Sequence, residues 1–131
     1  MKEPVWIRLD VVLVMHEEAL MLHGGPEGVR DLGLLESALA RPKNLFVYGE
    51  QEDVSMARFA AAYAKGIVDN HPFVDGNKRT AFTVSLTFLK LNGLELTATK
   101  EDRVLTFWGL AAGEISEEQL ALWFERNTTA R

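Results

Sequence analysis

Between Leu9 and about Leu22, apolar residues fall at Leu9, Val12, Leu13, Met15, Leu20 and Leu22, and Gly24-Gly25-Pro26 follows as a stop signal. This spacing predicts an amphipathic helix. Asp31 is placed to cap a short second helix through Leu34, Leu35, Ala38 and Leu39. Pro42 is expected to end it, because proline lacks the amide proton that a helix interior uses. From Pro42 to Glu52 the helical period lapses, and Asn44, Tyr48 and Gly49 predict a surface loop or a short hairpin. Asp53 then stands where a third helix would be capped. Its stripe runs through Met56, Phe59, Ala60, Tyr63, Ala64, Ile67 and Val68, and the Ala-rich stretch from Ala60 to Ala64 predicts close packing on a neighbour.

A fourth helix, from about Asn77 to Leu91, is apolar on nearly every side (Ala81, Phe82, Val84, Leu86, Phe88, Leu89, Leu91), the mark of a central element. Asn92-Gly93 ends it, and Leu94-Glu95-Leu96 reads as a short strand. Thr99 with Asp102 and Ser116 with Gln119 resemble capping boxes opening helices at about 100–112 and 117–127. The predicted fold is all-α, about six helices with room for one short strand or hairpin, in a single domain over residues 1–131. No internal repeat, low-complexity run or linker interrupts it.

Composition narrows the function classes. A chain of 131 residues with 47% hydrophobic and 25% charged residues is ordinary for a soluble domain. No window approaches the roughly 18 uncharged apolar residues of a membrane helix, and Met1-Lys2-Glu3-Pro4 lacks the pattern of a secretory signal. The expected compartment is the cytoplasm. The absence of cysteine removes disulfide, thiolate and cysteine-based metal chemistry. A net charge of −5 argues against a general nucleic-acid binder, though not against one small basic pocket.

Such a pocket is encoded between helices three and four, in His71-Pro72-Phe73-Val74-Asp75-Gly76-Asn77-Lys78-Arg79. Gly76 lets the backbone turn and leaves room for an anion near N–H groups. Asn77, Lys78 and Arg79 fall in the first helical turn, where unpaired N–H donors and the helix dipole favour negative charge. Lys78 and Arg79 add cationic donors suited to phosphate oxygens. Asp75 is a hard oxygen ligand of the kind Mg²⁺ takes alongside substrate phosphates. His71 supplies the residue type that most often serves as a general base. The same residue types also make an ordinary helix–helix connection, with a structural histidine and solvated cations. Their concurrence at the mouth of an apolar helix favours a site for phosphate-group transfer.

The segment His71-Pro72-Phe73-Val74-Asp75-Gly76-Asn77-Lys78-Arg79-Thr80-Ala81 closely resembles the signature of the Fic/Doc superfamily, and specifically its Doc (death on curing) branch. His16, Gly24-Gly25, Gly28 to Asp31, Leu34 to Leu39 with Pro42, the Ala-rich third helix and Leu89 to Gly93 extend the resemblance over about residues 9–93. It implies the all-helical Fic fold with this loop between its two central helices. It further implies that His71 activates a target hydroxyl, Asp75 engages Mg²⁺, Gly76 and Asn77 help form an anion hole, and Arg79 contacts nucleotide phosphate. The stretch from Pro42 to Glu52 would correspond to a flap lining the target groove.

Members that transfer AMP resemble His-Pro-Phe-x-x-Gly-Asn-Gly-Arg-x-x-Arg. Here Lys78 replaces the second glycine and Phe82 the second arginine, which would hold the γ-phosphate. The lysine is shared with the Doc branch, whose nucleotide is thought to lie reversed. The resemblance then implies ATP as substrate and phosphorylation of a protein Ser or Thr, on a translation elongation factor in the archetype. AMP transfer to a hydroxyl is the alternative. Doc-type toxins also imply a small antitoxin of the prevent-host-death type, and a non-catalytic, antitoxin-binding co-repressor is a further reading. A self-inhibitory Ser/Thr-x-x-x-Glu-Gly/Asn pattern is missing: Thr97-x-x-x-Glu101 is followed by Asp102. Restraint by a separate partner is therefore expected.

Other candidates read as structural. His16, beside Glu17 and Glu18, is expected to be a solvated or hydrogen-bonded surface histidine, and His23 to complement the dipole at the end of helix one. Neither has a partner at metal-ligand spacing, so no zinc site is expected. Trp6, Trp108 and Trp123 read as core or rim packing rather than a stacking platform. Arg30 is within reach of the groove, and Asp31 needs no role beyond its cap.

Overall fold

The computed structural model describes residues 1–131. Six α-helices follow in order: α1 (Leu9–His23), α2 (Leu32–Tyr48), α3 (Met56–Asn70), α4 (Asn77–Leu91), α5 (Lys100–Ala111) and α6 (Glu117–Arg126). Two short strands, β1 (Leu94–Leu96) and β2 (Thr128–Ala130), pair antiparallel with Leu96 opposite Thr128 and Leu94 opposite Ala130. The all-α expectation holds, and β1 falls where the sequence placed a strand. Its partner β2 was not anticipated, because Thr128-Thr129-Ala130 is too short to show a period.

The centre of the molecule is α3, which packs against α2, α4 and α6. Phe59 through Ala64 are buried without interruption, so α3 is covered all round along this stretch. The small alanines let neighbouring helices approach closely. α4 is the second central helix, burying Asn77, Thr80, Ala81, Val84, Ser85, Phe88 and Leu89. Trp6 packs on Phe46, Phe59 and Phe88 from the N-terminal segment, with ring centroids 5.9, 5.4 and 5.8 Å away. Phe59 and Phe88 are fully buried, and each such aromatic contributes on the order of 2–3 kcal/mol. The hydroxyl of the buried Tyr63 accepts a bond from the Ile7 N–H at 3.0 Å, fixing that segment to α3.

Two boundaries differ from the sequence expectation. Pro42 does not end α2, which continues to Tyr48 with Pro42 buried inside it. The stretch from Pro42 to Glu52 is therefore helix, turn and one 3₁₀ turn (Gln51–Asp53), not a loop or hairpin. The reason lies in the packing. Leu35, Ala38, Leu39, Pro42, Leu45 and Phe46 form one continuous stripe, and Phe46 meets both Trp6 and Phe59 edge-on. This burial offsets the roughly 3 kcal/mol that an internal proline costs. Secondly, α3 is capped by Ser55, whose side chain accepts from the Arg58 N–H, while Asp53 belongs to the 3₁₀ turn. The Asp31 cap is as expected, accepting from the Leu34 N–H at 3.0 Å. So is the reciprocal capping box of Ser116 and Gln119.

Candidate active site

The candidate loop leaves α3 through His71, which adopts the left-handed conformation at φ 48° and ψ 54°. It is the one non-glycine residue with positive φ. A histidine held there stores about 1–3 kcal/mol of strain, so surrounding bonds must fix it. They do so from both sides. The His71 N–H donates to the Ile67 carbonyl at 3.0 Å. Arg30 donates from Nε to the His71 carbonyl at 2.7 Å and from Nη2 to the Asn70 carbonyl at 2.8 Å. The Arg30 and Asp31 N–H groups both donate to the Pro72 carbonyl, and the Val74 N–H donates to the Gly28 carbonyl. Val29 and Phe73 thereby form an isolated antiparallel bridge. The α1–α2 connection is thus a strap across the loop.

Beneath the strap, the buried Phe73 ring lies flat on the His16 imidazole, centroids 3.8 Å apart and planes 11° from parallel. His16 Nε2 is 2.8 Å from the Asp75 carbonyl oxygen, to which it donates. This corrects the reading of His16 as a surface residue: it is hydrogen-bonded, but only 3% exposed. Glu17 and Glu18 face outward, whereas His16 shares the buried face of α1 with Val12 and Leu20. Adjacent charges hid that periodicity.

Gly76 caps α4 at φ 81°, a conformation that favours glycine. Its N–H donates to Asp75 Oδ1 at 2.8 Å, which orients the carboxylate. The first helical bond of α4 runs from the Thr80 N–H to the Gly76 carbonyl, so the N–H groups of Asn77, Lys78 and Arg79 have no protein partner. Lys78 and Arg79 are exposed beside them. Asn77 is different, being buried. Its Oδ1 accepts from the Phe73 N–H at 2.9 Å, and its Nδ2 donates to the Phe73 carbonyl at 3.0 Å and lies 3.1 Å from His71 Nδ1. Its side-chain amide is spent on the loop, leaving the backbone N–H for an anion.

These groups converge on a cleft of about 590 Å³ lined by His71, Asp75, Gly76, Asn77, Lys78 and Arg79 together with His23, Gly24, Gly25, Val68 and Ala111. Every residue singled out in the loop reaches it. Free N–H donors, two cations and a carboxylate at a buried helix's N-terminus suit an anion accompanied by a divalent cation. Asp75 Oδ2 has no protein partner and is close enough to Gly25 that a Cβ there would lie 2.6 Å away. No cluster of three or more His, Asp or Glu side chains is poised to hold a metal. A cation on Asp75 would complete its shell from phosphate and water, which fits Mg²⁺.

Two side chains beside the loop carry no signal in the sequence. His23 lines the cleft from the end of α1, because the chain turns at Gly24 directly over the loop. Trp108 on α5 is 59% exposed, with Lys78 Nζ 4.8 Å from its ring centroid. Trp6 and Trp123 do pack as expected, Trp123 donating from Nε1 to Asp102 at 2.9 Å. No helix is long and apolar enough to cross a membrane.

Comparison with known proteins gives a consistent picture. A family model described as the Fic/DOC family matches residues 6–89. The chain is 47% identical over 75 residues to "Toxin Doc" of Mycolicibacterium smegmatis, a match spanning 57% of each protein. It is 33% identical over 112 residues to "Protein kinase doc" of Escherichia phage P1, spanning 86% of each.

Proposed function

Because the chain belongs to the Fic/DOC family, we propose that it is a Doc-type toxin that transfers the γ-phosphate of ATP to a Ser or Thr hydroxyl of a protein target. The observation that carries the choice of reaction is the state of Phe82. Where a second arginine would reach the γ-phosphate in AMP transfer, this side chain is half-buried and packs edge-on against Phe107, centroids 5.1 Å apart. Lys78 stands beside the anion site in place of a glycine. The name of the phage relative supports the same reading.

In this reading the target oxygen attacks the γ-phosphorus, the bond to the β-phosphate bridging oxygen breaks, and ADP leaves. His71 takes the hydroxyl proton. The free N–H groups of Asn77, Lys78 and Arg79 bind phosphate oxygens, and the Lys78 and Arg79 side chains offset their charge. Asp75 would hold Mg²⁺, which supplies charge neutralisation when bound. The resemblance to the Doc branch makes a translation elongation factor the expected target and a small antitoxin of the prevent-host-death type the expected restraint, and the name of one relative, Toxin Doc, supports an antitoxin partner.

Incubation with lysate and ATP labelled separately at the α- and γ-positions tests the reaction. Protein label from the γ-position supports it. Label only from the α-position establishes AMP transfer instead. His71→Ala should abolish either transfer. The toxin reading further expects growth arrest on expression and a short reading frame for a DNA-binding antitoxin immediately upstream. Without growth arrest and without that neighbour, it fails.

A further inference from the structure

The amide of Asn77 has only one orientation that the loop accepts. Phe73 presents an N–H donor and a carbonyl acceptor to it, bonded to Oδ1 at 2.9 Å and to Nδ2 at 3.0 Å. Rotating the amide by half a turn would set oxygen against oxygen and N–H against N–H. Two bonds would be lost in a buried site where neither partner has water to replace them. Nδ2 is thereby fixed as the atom 3.1 Å from His71 Nδ1. An amide nitrogen has only protons to offer, so His71 Nδ1 must be the acceptor. A neutral imidazole carries one N–H, which then resides on Nε2, the ring nitrogen without a protein partner.

We propose that Asn77 is a positioning residue that sets the tautomer of His71, holding the proton on Nε2 so that the resting histidine meets the cleft as a hydrogen-bond donor. It becomes a base at Nε2 only after Asn77 has released Nδ1. The proton balance requires this. To accept the target's proton at Nε2, the ring must first carry its own proton on Nδ1, and an Nδ1–H directed at the Asn77 amide places two donors head-on. The Phe73 bonds prevent Asn77 from turning away, so the imidazole itself must rotate, or the Phe73–Asn77 pair must open. As it stands, the loop suits donation from Nε2–H to a phosphate oxygen and opposes removal of a proton. The tautomer follows from geometry alone, whereas its bearing on base catalysis rests on the transfer reading above.

Ring-¹⁵N NMR of the full chain without nucleotide reads the tautomer directly. The His71 signals are assigned by their loss in His71→Gln, with His16 and His23 as internal references. The wild type should have the proton on Nε2. In Asn77→Asp the carboxylate oxygen facing Nδ1 becomes an acceptor, and the Nδ1–H to Nε2–H ratio should rise by about fivefold or more. Asn77→Ala, which removes the partner altogether, should move the ratio in the same direction by less, and it serves if the Asp variant does not fold. A wild-type proton on Nδ1 overturns the inference, as does an unchanged ratio in a folded variant. Since no transfer is measured, this failure is distinct from failure of the kinase reading.

Discussion

His16 Nε2 donates to the carbonyl oxygen of Asp75 at 2.8 Å, joining the middle of α1 to the residue proposed to hold a cation. The bond reaches the backbone, so it sets where the carboxylate sits without competing for its charge. His16→Phe should keep the flat stack on Phe73 and leave the Asp75 carbonyl without its donor. We expect a stability loss of about 1–3 kcal/mol. Transfer should fall by about tenfold or more, mainly through a higher Mg²⁺ requirement. Thermal unfolding and Mg²⁺ titration of transfer measure the two effects. An unaltered Mg²⁺ requirement would show that the bond does not position the carboxylate.

Gly25 and Gly24 form a matched pair. Both have positive φ, 117° and 75°, but a Cβ at Gly25 would lie 2.6 Å from Asp75 Oδ2, whereas nothing lies within 4 Å of one at Gly24. Alanine should strain the backbone at either position, yet only Gly25→Ala should displace the carboxylate. The expected result is similar unfolding temperatures with Mg²⁺-dependent transfer lost far more in Gly25→Ala.

Trp108 holds Lys78 at the cleft edge through a face-on contact of 4.8 Å. A cation–π contact at an exposed site contributes about 0.5–1 kcal/mol, so Trp108→Ala should weaken ATP binding by roughly two- to fivefold. Trp108→Phe, which keeps a smaller π-face, should lose less. Calorimetric titration with ATP and Mg²⁺ orders the three proteins. Equal affinity in all of them would assign Trp108 to the rim alone.

Burial pushes the Tyr63 phenol up to about 12 from 10.0, and the bond from the Ile7 N–H opposes this only in part. The unfolded chain loses this proton first, so between about pH 10 and pH 12 it binds fewer protons than the folded chain, and stability falls as pH rises. Tyr63→Phe should cost about 1 kcal/mol at neutral pH by leaving the Ile7 N–H unpaired. It should also fall less steeply above pH 10, as denaturant unfolding at several pH values would register.

Helices with a clean apolar period were legible to within a residue or two, as α3 and α4 demonstrate. Sequence and structure part where tertiary partners override one residue's local preference. Pro42 carries a strong stop signal, but Phe46 and Leu45 beyond it continue the buried stripe. His16 sits beside two glutamates that mask its place between Val12 and Leu20. The loop from His71 to Arg79 could be recognised because each side chain has chemistry suited to phosphate. His23 and Trp108 could not, since nothing in their neighbourhoods along the chain foretells that α1 and α5 converge on that loop.

The strap from the α1–α2 connection carries one more consequence, for transplantation. Arg30 is 40 and 41 positions before the carbonyls it binds at Asn70 and His71. The left-handed histidine is therefore held in part by a distant stretch of chain, and not by the motif alone. A helical hairpin cut to α3, the loop and α4 would carry every signature residue and still lack the two Arg30 bonds that help hold the first of them in place. The signature is a label for this reaction centre, and the scaffold that makes it work begins at α1.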